Sequence, residues 1–130
     1  MSALPPDTSG IRAHMGYRSS AGELEEGVCE LEIGPQHLNM HGLLHGGVVS
    51  MLLDNACGVA IRRQFPNDAF KGVTVTLNVN FVCGATGGTV RATGRITGGG
   101  RSLKFAEAVL RDEEGQVMAT GSATFRISRR

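Results

Sequence analysis

The sequence lacks any apolar run of the roughly 18–20 residues that a helix needs to cross a bilayer. Its first ten residues, MSALPPDTSG, also lack the basic segment followed by an apolar segment that marks a secretory signal peptide. A membrane protein and an exported protein are therefore both disfavoured. We expect a cytoplasmic protein without a membrane partner.

The sequence also contains few aromatic residues and no large excess of basic residues. Tryptophan is absent and tyrosine occurs once, so the chain offers little material for stacking nucleobases. The 13 basic and 12 acidic residues give a formal net charge of +1, whereas nucleic-acid-binding domains usually carry a strong basic excess. We expect no nucleic-acid partner, although this composition is compatible with a local basic patch.

The three cysteines are an odd number and contain no CxxC pair, so they give no sign of a disulfide framework or a cysteine zinc site. Cys29, Cys57 and Cys83 are each flanked by apolar or small residues. We therefore expect reduced, buried, structural cysteines rather than nucleophiles.

What the sequence does contain is the pattern of one small domain. Residues 1–14 include Pro, Ser and Gly and are expected to form a flexible tail, followed by a single domain over residues 15–130. The spacing of apolar residues predicts one long, largely buried helix over residues 45–64. Its predicted core stripe consists of Val48, Met51, Leu52, Asn55, Ala56, Val59 and Ala60. Arg62 and Arg63 fall where basic side chains stabilise a helix C-terminus.

Alternation of apolar and polar residues predicts strands on both sides of this helix. The predicted strands lie at 15–20, 28–33, 73–81, 89–97, 102–111 and 117–127. In the first strand after the helix, the apolar face should consist of Val73, Val75, Leu77, Val79 and Phe81. A sheet with one apolar face and a single apolar helix predicts an α+β fold in which an antiparallel sheet wraps around one long central helix.

The start of the helix carries an unusual motif, Asn39-x5-His45-Gly46-Gly47-x6-Asp54. On this strand order, the motif resembles the signature of the PaaI-like hotdog-fold acyl-CoA thioesterases. The resemblance extends over most of the chain, through HMGY at 14–17, GVTVTLNVNF at 72–81, GRSLKFAE at 100–107 and D-x2-G-x-V-x-A-x-G-x-A-x-F at 112–125.

This resemblance implies a hotdog thioesterase domain that hydrolyses an aryl- or fatty-acyl-CoA to the free acid and CoA. Asp54 would be the general base or nucleophile. Gly46, or its neighbour Gly47, would donate a backbone N–H to the thioester carbonyl. Asn39 and His45 would orient the thioester or the attacking water.

The resemblance also implies that Thr74 helps to place the attacking water. The family usually forms homotetramers, so we expect a homodimer with active sites at the subunit interface, assembled as a dimer of dimers. CoA is part of the substrate, and no separate cofactor is implied.

Elementary chemistry supports these roles. A helix N-terminus presents unpaired N–H groups and a positive dipole end, and a glycine there lets a carbonyl approach the backbone closely. Asp54 is the only acidic residue between Glu32 and Asp68, and its burial would raise its pKa and its basicity. Gly46 and Asp54 would lie about 12 Å apart along one helix, so both can serve one reaction only if they come from different protomers.

Other interpretations remain open. The chain could be a hotdog enoyl-thioester hydratase or dehydratase, or a non-catalytic acyl-CoA-binding module that would not need the carboxylate. The glycine pair could also simply begin a helix against a crowded neighbour. His37, His41 and His45 are spaced like metal ligands on a helix, but Pro35 and Gly42 interrupt such a helix, so we expect no metal.

Overall fold

The computed structural model describes residues 4–65 and 70–129. Six antiparallel strands form one sheet in the order β1-β2-β4-β5-β6-β3, and all six contact one long helix, α2. The elements are α1 (Gly10–Met15), β1 (Arg18–Ala21), β2 (Gly27–Glu32), a 3₁₀ helix (Pro35–His37), α2 (Gly46–Arg62), β3 (Phe70–Phe81), β4 (Thr89–Gly99), β5 (Leu103–Arg111) and β6 (Val117–Arg129). The predicted α+β architecture is confirmed. Within the described residues, no helix combines the length and apolar character needed to span a bilayer.

Helix α2 forms the centre of the core. His45 is its N-cap, with an extended backbone (φ −62°, ψ 136°), and the helix runs for 17 residues to Arg62, close to the predicted range of 45–64. Nine of its side chains are buried against the sheet: Val48, Val49, Leu52, Leu53, Ala56, Cys57, Val59, Ala60 and Ile61. The opposite side of the helix, which includes Met51, Asp54 and Asn55, is only half-buried.

A pair of glycines lets the second half of α2 lie directly on the sheet. Gly27 on β2 and Gly94 on β4 are register partners, and both face the helix. A Cβ atom at Gly27 would lie 2.5 Å from the Ala56 carbonyl oxygen, and one at Gly94 would lie 2.7 Å from the same atom. These strand glycines therefore allow the close approach of two backbones, which no other residue type would permit.

The predicted apolar face of β3 is wrong in its first half and at its last residue, Phe81. The register with β6 shifts between Thr74 and Thr76, so Val75 occupies a β-bulge. Because a bulge inserts one residue, it changes which side chains face the core. Val73 and Val75 are 58% and 56% exposed, whereas Thr74 points towards α2. Leu77 and Val79 pack against the core as predicted, and Phe81 is exposed.

Two further features differ from the sequence prediction. A short helix, α1, lies within the segment predicted as a tail, and it is capped by the Ser9 hydroxyl and by Gly16 in the left-handed conformation. Arg63 does not serve mainly as a charge at the end of α2. It is buried, and its guanidinium donates hydrogen bonds to the carbonyls of Gly22 and Glu26, so it anchors the β1–β2 turn.

Candidate active site

The N-terminus of α2 leaves one backbone donor free. The His45 ring nitrogen Nδ1 accepts a hydrogen bond from the Gly47 N–H at 2.8 Å, and the His45 carbonyl accepts from Val48 and Val49. The Gly46 N–H has no acceptor among the described residues of the chain. Of the two glycines that the sequence leaves as alternatives, Gly47 is already engaged, and Gly46 carries the amide that can bind a ligand.

Asn39 organises the loop in front of this helix start. Its side-chain oxygen accepts hydrogen bonds from the backbone N–H groups of His41 (2.9 Å) and Leu43 (3.1 Å), and its own N–H donates to the Leu43 carbonyl at 2.7 Å. Since the carboxamide oxygen is used within the loop, the carboxamide NH₂ group is what this residue can offer to a ligand.

An apolar cavity of about 280 Å³ opens beside Gly46. Gly46 and Asn39 lie in its wall together with Leu43, Leu44, Val49, Phe81, Val82, Cys83, Gly84, Ala85, Leu110 and Met118. The Phe81 ring stands over Gly46, because a Cβ atom there would lie 3.3 Å from the ring. The structure therefore places the free amide in the wall of an apolar cavity. The sequence contains no periodic signal for this cavity, since its walls come from the 39–44 loop, α2, the end of β3 and the segment that follows it, β5 and β6.

Asp54 and Thr74 form the second half of the candidate site. The Thr74 hydroxyl donates a hydrogen bond of 2.7 Å to Oδ1 of Asp54. Burial raises the pKa of the Asp54 carboxyl, and the hydrogen bond from Thr74 opposes that rise. The bulge at Val75 turns Thr74 inward and so makes this contact possible. Thr74, which is predicted to place the attacking water, donates a hydrogen bond directly to the Asp54 carboxylate in this structure.

Within one chain, Gly46 and Asp54 lie too far apart to act on the same thioester. Gly46 is the first residue of α2 and Asp54 is the ninth, on one uninterrupted helix. Their separation along the axis is about 12 Å, which exceeds the reach of a carboxylate to a carbonyl bound at Gly46. Asn39, His45 and Gly46 therefore lie together at one end of the helix, and Asp54 and Thr74 lie together near its middle.

The other histidines and the cysteines have separate roles. His37 is buried, with Nδ1 accepting from the Gly34 N–H at 2.9 Å and Nε2 lying 2.7 Å from the Met15 carbonyl, so both ring nitrogens are used in folding. Cys29 and Cys57 are buried as predicted, and burial raises the pKa of each thiol to about 12, which disfavours the nucleophilic thiolate. The prediction for Cys83 is wrong: the chain leaves β3 there, and the residue is exposed at the cavity.

Comparison with known protein families shows the family to which this chain belongs. A profile described as the thioesterase superfamily matches residues 41–119, which include Gly46, Asp54 and Thr74 and cover more than half of the 130 residues. The chain belongs to the thioesterase superfamily. The predicted class of enzyme, a thioester hydrolase, is confirmed by this match and by its relatives.

Relatives of this chain in mouse and Haemophilus influenzae are also named thioesterases. The chain is 30% identical over 102 residues to acyl-coenzyme A thioesterase 13 of Mus musculus, a match that covers 77% of this chain and 71% of the mouse protein. A protein from Bacillus halodurans, solved with CoA, is 28% identical with a TM-score of 0.85, covering 95% of this chain and 81% of that one. A thioesterase from Haemophilus influenzae has a TM-score of 0.86 at 20% identity, covering 94% and 85%, and shows the fold alone. The predicted hotdog fold is confirmed.

Proposed function

We propose that this thioesterase hydrolyses an aryl- or fatty-acyl-CoA to the free acid and CoA. The names of its relatives support the acyl-CoA class, since the mouse protein is named an acyl-coenzyme A thioesterase and the Bacillus halodurans protein was solved with CoA. The observation that carries the proposal is the free Gly46 amide in the wall of an apolar cavity. An apolar acyl group can enter such a cavity while its thioester carbonyl reaches the amide.

The Gly46 N–H is the proposed oxyanion donor. The carbonyl oxygen of a thioester gains negative charge in the transition state, and the N-terminus of α2 adds the positive end of its dipole. His45 prepares this donor, because its ring occupies the Gly47 N–H and leaves only the Gly46 amide available. The Asn39 carboxamide NH₂ is proposed to orient the thioester, since Asn39 lies in the wall of the same cavity.

Asp54 is the proposed general base or nucleophile. As a base, its carboxylate takes a proton from water while the water oxygen attacks the thioester carbon and the CoA thiolate leaves. As a nucleophile, Oδ attacks the carbon itself, and water then hydrolyses the mixed anhydride. In both routes the raised pKa of Asp54 increases its basicity, and Thr74 fixes the carboxylate and the water beside it.

A homodimer, paired further into a dimer of dimers, is proposed to complete the site. Two α2 helices that run antiparallel across a two-fold axis would bring Asp54 of each protomer to Gly46 of its partner. Strand β3 is an edge strand of 12 residues, and Val73 and Val75 on it are exposed. An edge strand with unpaired backbone groups is a template for pairing with a second chain, which supports an interface beside Thr74.

The first test measures thiol release from a panel of aryl- and fatty-acyl-CoAs with the wild type and with Asp54→Asn. The variant keeps the shape of the side chain and a hydrogen-bonding partner for Thr74, so its fold should survive. We expect loss of nearly all turnover. Wild-type turnover in a folded Asp54→Asn variant would refute the assigned role of Asp54. Absence of hydrolysis of every substrate by the wild type would favour a binding module instead.

The second test addresses the shared site. Proline suits the first position of a helix and removes the N–H, and the extended backbone of His45 suits the residue before a proline, so Gly46→Pro should fold. Mixed dimers of Gly46→Pro with Asp54→Asn would contain one intact site of two. With random pairing we expect about a quarter of wild-type activity from the mixture. Activity no greater than that of the separate variants would place both residues in sites within single chains.

A further inference from the structure

His37 is a buried histidine that belongs to neither half of the candidate site. Its side chain is 2% exposed, and it is the last residue of the 3₁₀ helix Pro35–His37. It is not part of the wall of the cavity beside Gly46, so a substrate bound in that cavity would not touch it. Any effect of His37 on the reaction must therefore pass through other residues, and its hydrogen bonds show which ones.

Both ring nitrogens of His37 bond to backbone groups. Nδ1 accepts a hydrogen bond from the Gly34 N–H at 2.9 Å, and Nε2 lies 2.7 Å from the carbonyl oxygen of Met15, the last residue of α1. Because a backbone N–H can only donate and a backbone carbonyl can only accept, the ring proton must be on Nε2. The ring therefore holds the 3₁₀ turn against the end of α1 in one tautomer and one orientation.

The backbone of His37 connects this turn to α2. Its N–H donates to the Gly34 carbonyl at 3.0 Å, and its carbonyl accepts from the N–H of His45, the N-cap of α2, at 2.9 Å. The ring and the backbone of His37 thus each bond to Gly34 and close the turn twice, which fixes the direction of the His37 carbonyl. His45 is therefore held by a rigid acceptor at the point where the chain enters the helix.

His37 and His45 also form the base of the loop that carries Asn39. Leu38 and Leu44, which follow His37 and precede His45, form an isolated antiparallel bridge. The loop therefore leaves from His37 and returns to His45 as a closed hairpin-like segment. A shift of the His37 carbonyl would displace His45 and the loop that carries Asn39 together.

The direction of the free Gly46 amide depends on His45. The Gly46 N–H belongs to the planar peptide group that joins the two residues, so it turns with the backbone dihedral angles of His45, φ −62° and ψ 136°. On the helix side, the His45 ring bonds to the Gly47 N–H. On the loop side, the His45 N–H bonds to the His37 carbonyl. Loss of the loop-side bond would release the φ angle of His45, and the Gly46 N–H would turn with it.

We propose that His37 is a positioning residue for the oxyanion donor: its ring fixes the 3₁₀ turn, its carbonyl holds His45, and His45 aims the Gly46 N–H. This inference rests on the proposed function and deepens it. An oxyanion donor must lie about 2.7–3.1 Å from the oxygen on which charge develops. A misplacement of about 1 Å, even one caused far from the reacting atoms, can cost about 10²-fold in rate. A buried ring that sets the position of the donor therefore affects turnover without touching the substrate.

The first test uses two substitutions that each keep one of the two ring hydrogen bonds. His37→Asn places a carboxamide oxygen near the position of Nδ1, where it can accept from Gly34. His37→Gln places an NH₂ group near the position of Nε2, where it can donate to Met15. Because the bond to Gly34 closes the turn, we expect His37→Asn to keep kcat within about threefold and His37→Gln to lower it by about ten- to a hundredfold, with little change in KM. Equal kcat values for the two variants would contradict the proposal.

Two controls separate positioning from a general loss of stability. A Cβ atom at Gly94 would lie 2.7 Å from the Ala56 carbonyl oxygen, so Gly94→Ala should destabilise the fold beneath the second half of α2 and keep its kcat. His14→Gln makes the matched change at an exposed histidine of α1 and should keep both kcat and the unfolding midpoint. If kcat simply follows the unfolding midpoint across all four variants, His37 has a structural role alone and the proposal is wrong.

The second test combines His37→Gln with Gly46→Pro, which removes the N–H itself. If His37 acts through this N–H, the double variant should have the same kcat as Gly46→Pro alone, because no donor is left to position. Losses that multiply would show that His37 acts on something other than the Gly46 amide, and would overturn this inference while leaving the proposed function intact. Wild-type hydrolysis of acyl-CoA tests the proposed function separately, and its absence would overturn that function and this inference together.

Discussion

The two ends of helix α2 use glycine in opposite ways. At the N-terminus, the missing side chain of Gly46 leaves a backbone N–H bare at the wall of a cavity. Under the second half of the helix, the missing side chains of Gly27 and Gly94 leave room that the helix backbone itself occupies. The first absence keeps space open for a ligand, and the second brings two backbones together. Glycine in this fold therefore has a proposed functional role at one end of α2 and a structural role at the other.

The largest expected effect comes from removing the free amide. Gly46→Pro deletes the N–H at a position where proline is tolerated, so we expect kcat to fall by about 10²- to 10³-fold, with little change in the unfolding midpoint. Gly46→Ala is the matched control, because it introduces the same contact with the flexible Phe81 ring but keeps the N–H. An equal loss of kcat in both variants would show that turnover depends on the absence of a side chain at residue 46 rather than on its backbone N–H.

Substitution of a glycine beneath the second half of α2 should change the stability of the protein rather than its turnover. A Cβ atom at Gly94 would lie 2.7 Å from backbone atoms of Ala56, so Gly94→Ala must push α2 away from the sheet. We expect a loss of about 1–3 kcal/mol in the free energy of unfolding, measured by urea denaturation. Gly98→Ala on the same strand is the control, because its nearest contact would be Phe105 at 3.9 Å. Equal unfolding midpoints for the two variants would contradict the close packing at Gly94.

Burial of the Asp54 carboxyl on the core helix should lower the stability of the fold at neutral pH. The pKa of Asp54 is raised from 3.8 by burial, so the folded protein binds this proton more tightly than the unfolded chain does. Stability therefore falls as pH rises through the window from 3.8 to the folded pKa, and the cost persists at neutral pH. We expect Asp54→Asn to unfold at higher urea concentration than the wild type at pH 7, with the difference disappearing near pH 3. A less stable variant at pH 7 would mean that the charged carboxylate stabilises the fold.

The Thr74 hydroxyl should set the pH at which the site becomes active. Its hydrogen bond to Asp54 favours the charged carboxylate, so Thr74→Val should raise the pKa of Asp54 further. Because the proposed reaction needs the charged form, the acid limb of the pH–kcat profile should move to higher pH in Thr74→Val. Thr74→Ser, which retains the hydroxyl, should restore the wild-type limb. A limb that does not move would exclude Asp54 as the group that titrates there.

Local sequence patterns predicted the architecture of the fold but not the contacts that build the site. The long helix and the strands on both sides of it follow from periodicity, and the motif from His45 to Asp54 pointed to the helix start. The bulge at Val75 has no signature in the alternating run around it, because register depends on pairing with β6. For the same reason the sequence placed Val73 and Val75 in the core and missed the contact between Thr74 and Asp54.

Contacts between residues far apart in the sequence explain the remaining differences between the sequence prediction and the structure. Arg63 stands beside Arg62 at the end of a helix, where local rules assign both to the helix dipole. In the structure Arg63 donates hydrogen bonds to the carbonyls of Gly22 and Glu26, about 40 positions away in the chain, whereas Arg62 lines a surface cavity together with Arg12 and Arg18. Cys83 has apolar neighbours in the sequence, yet it lies beyond the end of β3 and is exposed. Such contacts depend on the fold as a whole rather than on local composition.

The smallest expected effect concerns a glycine between the two ends of α2. Gly58 lies within the helix, and a Cβ atom there would meet the Phe125 ring at 3.6 and 3.8 Å, which are ordinary packing distances. Since glycine weakens a helix through its backbone freedom, Gly58→Ala should raise the free energy of unfolding by about 0.5–1 kcal/mol. Urea denaturation beside Gly94→Ala provides the comparison. A loss of stability would mean that Gly58 also supports a close backbone approach, and that the structural use of glycine extends along α2 beyond the Gly27–Gly94 pair.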